Sequence, residues 1–244
     1  MIIGADVDAT VTAAMIQTAQ NETGQPIQFW GRYFKDAGNS SPEQYQRARE
    51  AALLHGQNIR VLPLGRQTNH VDGSKELGRD DGENNASAIV AAFGPATLAA
   101  MPAGLLVFLD VEGPPHQSLS ADYYAGWSAG LVEKAQSAHV TLIPGVYGAQ
   151  GDDRTWANLV SAIGAGAHCA GIWSARPVTV GCHPLRPYDE HLTRPRHLPQ
   201  TVKILIWQCV QKCHHLDFNM LNPSFEADTL SKLVPPAAAP PLVA

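Results

Sequence analysis

The 244-residue sequence predicts an α/β fold, a single (β/α)8 barrel of the TIM type that is irregular in its last strands. Apolar, β-branched runs alternate with longer helical patterns, which is typical of parallel α/β proteins. The eight strand candidates favour a closed barrel over an open doubly wound sheet. The open sheet remains an alternative, but no glycine-rich phosphate loop follows the first strand.

The predicted elements follow one another along most of the chain. The strand at 104–110 is the clearest, because an unbroken apolar run suits a strand that is covered on both faces. The segment from Ser41 to Gly56 predicts a helix with Ser41 as N-cap and Pro42 as first helical residue. The polar, Gly- and Asp-rich stretch 65–85 is interpreted as an insertion, with a helix resuming at Ala86. The other strands are expected at 2–8, 27–34, 59–64, 140–146, 169–174, 202–208 and 216–219, and the other helices at 10–21, 120–138 and 154–165.

Composition limits the domain organisation and the kinds of partner. One domain is predicted over residues 1–234, followed by a Pro/Ala-rich flexible tail at 235–244. The net charge is −5, the pI is about 6.0, and no Lys/Arg run tracks phosphates, so nucleic acid is not an expected partner. Membrane insertion is not expected either, because no apolar run approaches the ~20 residues of a spanning helix.

Acidic side chains fall where a barrel of this type carries its functional groups, at the C-terminal ends of the strands. Asp6 and Asp8 end the first predicted strand, Asp110 and Glu112 follow the fourth, and Asp217 lies in the eighth. Polar and aromatic residues occupy corresponding positions on other strands, namely Arg32, Tyr33, Tyr147, Trp173, Trp207 and Gln208.

The pair Asp110 and Glu112 is the strongest catalytic candidate. Side chains two residues apart on a strand share a face, with Cα atoms roughly 6.5–7 Å apart. Two carboxylates so close repel each other, so the pKa of a partly buried one rises and it can donate a proton while its partner stays ionised. Cleavage of a glycosidic bond needs that division of labour. A solvated or helix-capping pair and a metal site built from the same acids are the alternatives.

An ordered set of short motifs resembles a known family. The set is Gly4-x-Asp6, Leu109-Asp110-Val111-Glu112, Gly145-Val146-Tyr147, Ile172-Trp173, Ile206-Trp207-Gln208 and Asp217-Phe218-Asn219. It resembles the glycoside hydrolase family 25 lysozymes. It is still more similar to a related glycoside-hydrolase-like domain family of unknown function, whose Gly-Arg-Tyr-Phe on strand two matches the residues 31–34.

The resemblance implies roles for individual residues. The lysozymes cleave the N-acetylmuramic acid–N-acetylglucosamine linkage of peptidoglycan, and their general acid corresponds to Glu112. Asp6, Asp110 and Asp217 match acids that stabilise positive charge at the sugar or orient its 2-acetamido group. Asp8 is a departure, because the lysozymes usually have Ser there, and the extra carboxylate alters the local field. The Tyr and Trp residues form the sugar platform, so the substrate-binding set comprises Asp8, Arg32, Tyr33, Tyr147, Trp173, Trp207 and Gln208.

Several of these residues have a purely structural interpretation as well. Arg32 either binds a substrate carboxylate or pairs with Asp6 or Asp8. Trp173 and Trp207 either stack on sugar rings or pack in the barrel.

The cysteines near the C-terminus carry no assigned chemistry. Cys209 and Cys213, which precede His214 and His215, are interpreted as buried thiols, with a disulfide between the two or a metal site as alternatives. No metal and no cofactor are predicted.

These observations lead to the hypothesis of a glycosidase that acts on an N-acetylated glycan such as peptidoglycan. A non-catalytic glycan-binding barrel is one alternative. A chitinase-like hydrolase is another, but Leu105 and Phe108 break its longer Asp-x-x-Asp-x-Asp-x-Glu signature. The N-terminus shows no cleavable signal peptide, so the chain is expected in the cytoplasm at synthesis, and export to the cell wall by a signal-independent route stays open.

Overall fold

The computed structural model is a closed eight-stranded barrel, which confirms the predicted fold class. It describes residues 1–67, 69–112, 117–182 and 184–236. The strands are β1 (Ile3–Asp6), β2 (Ile27–Phe34), β3 (Arg60–Arg66), β4 (Leu105–Val111), β5 (Leu142–Ala149), β6 (Ile172–Val180), β7 (Ile204–Cys213) and β8 (Leu216–Leu221). The helices are α1 (Ala13–Thr23), α2 (Arg47–Gly56), α3 (Lys75–Phe93), α4 (Pro95–Ala99), α5 (Ala121–Ser137), α6 (Asp153–Gly164), α7 (Glu190–Thr193) and α8 (Glu226–Ser231).

The last strand reverses the direction of the sheet. Strands β1 to β7 pair in parallel, whereas β8 is antiparallel to both β7 and β1. The predicted irregularity of the last strands is therefore confirmed. Because β8 runs the other way, its beginning lies at the end of the barrel where β1 finishes, and Asp217 is directly opposite Asp6.

The apolar residues form two packed layers. One fills the barrel interior, and the other lies between the sheet and the surrounding helices. Gly31 on β2 makes room for a large interior side chain, since a Cβ there would lie 3.0 Å from the ring of Trp173 and 2.8 Å from the Cβ of Asp6. This close approach brings the tryptophan directly beneath the acidic end of β1.

The interpretation of residues 65–85 as an insertion is wrong for most of its length. Helix α3 begins at Lys75 after Ser74, whose side chain accepts a hydrogen bond from the Leu77 amide as N-cap. Glycines of α3 let it approach α5 closely, since a Cβ on Gly78 or Gly82 would lie 2.1 or 2.2 Å from a carbonyl oxygen of α5. The glycines therefore indicate tight helix packing and not a loop.

The polar residues of the same stretch are buried and hydrogen-bonded. Asp81 accepts a hydrogen bond of 2.7 Å from the hydroxyl of Tyr123, and Asn85 accepts one of 2.9 Å from the indole of Trp127. Both donors belong to α5, so a polar sequence becomes a core helix because its partner supplies matching groups.

The predicted start of the second helix is also wrong. Helix α2 begins at Arg47, and residues 41–46 form a turn in which Gln46 takes the N-cap position without a side-chain hydrogen bond. The turn is held by Gln44, which pairs as an isolated bridge with Tyr33, and whose side-chain amide donates to the carbonyl oxygen of Asp36. These tertiary bonds outweigh the local preference of Ser-Pro-Glu for a helix start.

The interpretation of Cys213 as a buried thiol is wrong, and so is the alternative that pairs it with Cys209. Cys182 and Cys213 form a disulfide, which joins the segment after β6 to the end of β7. Cys209 is a buried free thiol. A Cys209–Cys213 disulfide is therefore excluded.

The end of the predicted domain packs on the barrel. Val234 forms an isolated antiparallel bridge with Val61 of β3. Residues 237–244 of the predicted tail lie outside the described residues. Within the part of the chain that the structure describes, no helix is both long enough and apolar enough to cross a membrane.

Candidate active site

A groove of about 540 Å³ opens at the end of the barrel where the parallel strands finish. It brings together all four predicted catalytic acids, Asp6, Asp110, Glu112 and Asp217, although they come from β1, β4 and β8. Asp8 and Tyr33 line it as well. The other lining residues are Val7, Arg66, Gln211, Lys212, His214 and His215.

Asp110 is the most deeply placed of the acids near β4. Its side chain is 2 % exposed, and its Oδ1 accepts a hydrogen bond of 3.1 Å from the amide of Glu112. Burial, with repulsion from Glu112, raises the pKa of Asp110 to about 7, while the charge of Arg66 works in the opposite direction. At neutral pH this carboxyl is therefore divided between its protonated and ionised forms.

Asp6 is buried at the end of β1, on the side of the groove formed by β1 and β8. Asn219 donates a hydrogen bond of 2.6 Å to its Oδ1 and itself accepts one of 3.0 Å from the indole of Trp173. Burial, followed by repulsion from Asp217, raises the pKa of Asp6 well above its ordinary value, and the bond from Asn219 lowers it. Trp173 therefore acts on the site through Asn219.

Asp217 is partly exposed at the start of β8. Its Oδ2 accepts a hydrogen bond of 2.5 Å from the side-chain amide of Gln208, and its Oδ1 accepts one of 2.7 Å from the backbone amide of Lys212. Burial raises the pKa of Asp217 to about 6, against the effect of the Lys212 amide. Asp217 is therefore mostly ionised at neutral pH.

Glu112 is exposed to the groove and touches a buried tyrosine. The hydroxyl of Tyr147 lies 2.5 Å from Glu112 Oε1 and 2.6 Å from Gln208 Oε1. A continuous chain of polar contacts thus runs from Glu112 through Tyr147 and Gln208 to Asp217. Burial and then the charge of Glu112 raise the pKa of Tyr147 well above its usual value, so the tyrosine stays a neutral hydroxyl.

Tyr33 and Arg66 form the wall on the side of β2 and β3. The guanidinium of Arg66 stacks over the Tyr33 ring at 4.6 Å from its centroid. Burial raises the pKa of Tyr33 well above its usual value, and neighbouring carboxylates add to the effect. Arg66 is thus held close to the acids that its charge influences.

Arg32 does not reach the groove, which corrects its predicted role in substrate binding. Its side chain is fully buried and makes an ion pair with Glu50, at 2.8 Å from Nε to Oε2. The predicted alternative partners were Asp6 and Asp8, so the structure supports a salt bridge but with a different acid. The guanidinium faces α2, behind the strand, and no sugar can contact it.

The two tryptophans are also buried, so neither offers a face to a sugar ring. Trp207 lies in the layer between sheet and helices, where its indole donates a hydrogen bond of 2.9 Å to the carbonyl oxygen of Arg176. Trp173 lies inside the barrel against Tyr147, with ring centroids 4.8 Å apart. The packing alternative therefore describes both tryptophans. Tyr147 and Gln208 are each about 1 % exposed, so they lie beneath the groove and support its acids from inside the barrel.

Besides Val7, which follows Asp6, five lining residues were not predicted for the site: Arg66, Gln211, Lys212, His214 and His215. Arg66 is the last residue of β3. The expectation that functional groups lie at the C-terminal ends of the strands would have included it if the predicted strand 59–64 had been two residues longer. The remaining four belong to the end of β7 and to the turn before β8. That turn reaches the groove because β8 reverses. The seven residues between the predicted strands 202–208 and 216–219 are the signal that could have shown this, since a parallel crossover needs a dozen or more.

Comparison with known proteins establishes the fold. No family model matches the chain, and no curated protein matches its sequence. The structure is similar to an uncharacterized B. stearothermophilus protein whose crystal structure was determined at 1.07 Å, with a TM-score of 0.70 and 20 % identity over 96 % of this chain and 100 % of that one. It is also similar to a muramidase from Acremonium alcalophilum, with a TM-score of 0.56 and 16 % identity over 95 % and 99 %.

Proposed function

We propose that the protein is a glycoside hydrolase that cleaves an N-acetylated glycan of the peptidoglycan type, with Glu112 as general acid. The observation that carries the proposal is the convergence, on one open groove, of four acids from the ends of three strands that are far apart in sequence. Residues that only stabilise a barrel gain nothing from such clustering, because buried like charges repel each other. The likeness in fold to a muramidase supports the same class of reaction.

The polar chain beneath the groove supports Glu112 as the acid. The Tyr147 hydroxyl has one proton but lies within hydrogen-bond distance of two oxygens, on Glu112 and on Gln208. The side-chain amide nitrogen of Gln208 donates a hydrogen bond to Asp217. Its carbonyl oxygen therefore faces Tyr147 and accepts a hydrogen bond from the tyrosine hydroxyl. The same hydroxyl donates to Glu112 Oε1, which places this carboxyl at the open end of the chain of polar contacts. Glu112 is thus held by Tyr147 and exposed to the groove, the placement that a general acid beside a leaving sugar needs.

The other acids suit the charge that develops during cleavage. The transition state of glycoside hydrolysis carries positive charge on the sugar ring, which nearby carboxylates stabilise. Asp217, with its pKa of about 6, supplies a negative charge at neutral pH. Asp110 and Asp6, whose pKa values are raised further, can accept a hydrogen bond from an acetamido group when ionised or donate one when protonated.

The charge of the groove favours a glycan over a polyanion. Five carboxyl side chains line it, against the cations Arg66 and Lys212. A phosphate backbone would meet net repulsion there, so nucleic acid is not part of the proposal. A neutral, hydroxyl-rich polymer can instead hydrogen-bond to the carboxylates without that cost.

A non-catalytic glycan-binding barrel is the competing proposal, and the lining of the groove argues against it. Binding sites for sugars rely on exposed aromatic faces. Here Trp173 and Trp207 are fully buried, and Tyr33, an aromatic residue of the lining, has its ring covered by Arg66. The groove instead presents five carboxyl side chains.

The proposed place of action is outside the reducing cytosol, at the cell wall. Disulfides persist in oxidising compartments and are rare in the cytosol. The Cys182–Cys213 disulfide therefore supports export after synthesis.

The test measures release of muropeptides, and loss of turbidity, from several cell-wall preparations. Glu112→Gln is expected to lose about 10²–10⁴-fold in rate, because a general acid contributes that much. Glu76→Gln, an exposed acid in the first turn of α3, serves as the matched control and should keep full activity. Inactive wild-type protein on every preparation, or full activity in Glu112→Gln, contradicts the proposal. Glycan binding that survives loss of both Asp110 and Glu112, with no products from wild type, selects the binding barrel.

A further inference from the structure

The disulfide lies within a cluster of potential metal ligands on the side of the barrel near the groove. The sulfurs of Cys182 and Cys213, one imidazole nitrogen of His214 and one carboxylate oxygen of Glu22 all lie within 4.8 Å of one another. The His214 Nε2 to Glu22 Oε1 distance is 3.1 Å. Glu22 comes from α1, Cys182 follows β6, Cys213 ends β7, and His214 follows it in the turn before β8.

These four groups match the ligands that zinc takes in closed structural sites. Zn²⁺ binds thiolate, imidazole and carboxylate in a tetrahedron, and its bond lengths of about 2.0–2.3 Å place ligand atoms roughly 3.3–3.8 Å apart. A cluster whose largest separation is within 4.8 Å needs movements of about 1 Å to reach that geometry. Glu22 and His214 are exposed and can make that adjustment, whereas Cys213 is buried and anchors the site.

We propose that reduction of the Cys182–Cys213 disulfide converts this cluster into a zinc site with Glu22 and His214 as the third and fourth ligands. In the reduction, two thiol molecules such as glutathione are oxidised to one disulfide. Each protein sulfur thereby gains one electron and one proton. Zn²⁺ then displaces both thiol protons, because metal ligands must be deprotonated. The proposal is independent of the glycosidase assignment.

The disulfide, or the zinc ion that would replace it, holds a strained turn that forms part of the groove. Lys212, His214 and His215 all have positive φ angles, of 61°, 51° and 67°. Such conformations are uncommon for residues other than glycine and persist where the surrounding structure enforces them. The backbone amide of Lys212 also binds Asp217. A zinc ion would therefore preserve the groove wall in a reducing compartment, where the disulfide opens.

The experiment titrates the full-length protein with ZnCl₂ by calorimetry in two redox states. The protein treated with tris(2-carboxyethyl)phosphine is expected to bind one equivalent of zinc, and the oxidised protein none at this site. Absence of binding by the reduced protein, or equal binding by both forms, overturns the proposal.

Variants locate the bound metal. Glu22→Gln and His214→Asn each remove a ligand and are expected to weaken zinc binding by the reduced protein at least about 10-fold. Both residues are exposed, so the fold should survive the changes. His215→Asn in the same turn and Cys209→Ser on β7 are matched controls that should leave the affinity unchanged. Unchanged binding in Glu22→Gln and His214→Asn, or loss of binding in Cys209→Ser, overturns the proposal.

Discussion

Replacement of Arg32 by methionine tests whether this residue holds the fold or binds substrate. Both Arg32 and Glu50 have side chains that are fully buried. The guanidinium donates to both oxygens of Glu50, at 2.8 and 3.2 Å, and to the carbonyl oxygens of Val7, Pro42 and Gln44, at 2.8, 3.1 and 3.1 Å. Its removal leaves a buried carboxylate and three carbonyl oxygens without this donor.

The expected loss follows from the cost of an uncompensated buried charge. Breaking a buried ion pair by removing one partner costs roughly 3–5 kcal/mol. For a domain of this size each kcal/mol corresponds to about 2–4 °C, so Arg32→Met should lower the Tm by roughly 6–20 °C. The double variant Arg32→Met/Glu50→Gln should recover part of the loss, because no unpaired charge remains buried.

Thermal unfolding followed by circular dichroism measures this effect, and Arg66→Met is the matched control. Arg66 is half-buried in the groove wall, where it stacks on Tyr33 and forms an ion pair of 3.4 Å with exposed Glu43, so its loss should cost about 1 kcal/mol, less than the loss of Arg32. An Arg32→Met protein with the Tm of wild type and weakened glycan binding would refute the structural role. Equal losses of stability in the two variants would also refute it.

Three further predictions concern packing and titration. Gly82→Ala places a Cβ 2.2 Å from a carbonyl oxygen of α5 and should cost about 1–3 kcal/mol in denaturant unfolding, whereas Gly56→Ala, which meets nothing within 4 Å, should not destabilise the protein. Burial raises the pKa of Asp110 from 3.8 to about 7, so the folded protein holds this proton more tightly and stability falls as the pH rises between those values. Asp110→Asn should therefore be more stable than wild type at pH 7 but not at pH 4, and equal stability at both pH values would contradict this reasoning. Asn219→Leu removes the hydrogen bond that lowers the pKa of Asp6, so this pKa should rise. If activity requires ionised Asp6, the acidic limb of the pH–rate profile should move to higher pH. An unmoved limb would show that activity does not require ionised Asp6.

The barrel and the positions of its acids were predictable because they depend on local patterns. Apolar runs mark strands that are covered on both faces, and a chain that alternates such runs with helices forms a parallel sheet. Once the strands are assigned, their C-terminal ends follow. Asp6, Asp110 and Glu112 could therefore be grouped without knowledge of any contact.

Features that depend on a distant partner were not predictable. The glycines of α3 resemble loop residues until the matching glycines of α5 are known to face them. The arginine of β2 resembles a ligand-binding residue at a strand end, but Glu50, 18 positions later, neutralises it on the other side of the sheet. The cysteine partner of Cys213 lies 31 residues away in an irregular segment. Local sequence carries no information on any of these pairings.

The reversed last strand has a consequence for how the protein comes to be assembled. β8 is hydrogen-bonded to β1 on one side and to β7 on the other. The barrel can therefore close only after β8, the last of its strands, has been synthesised. The Asn219–Asp6 hydrogen bond joins residues 213 positions apart. Contacts of such long range form late and slowly, because a large loop must be ordered before they are gained. The acids of β1 and β8 therefore join those of β4 only after β8 has been synthesised, and a polypeptide that lacks β8 cannot form the groove.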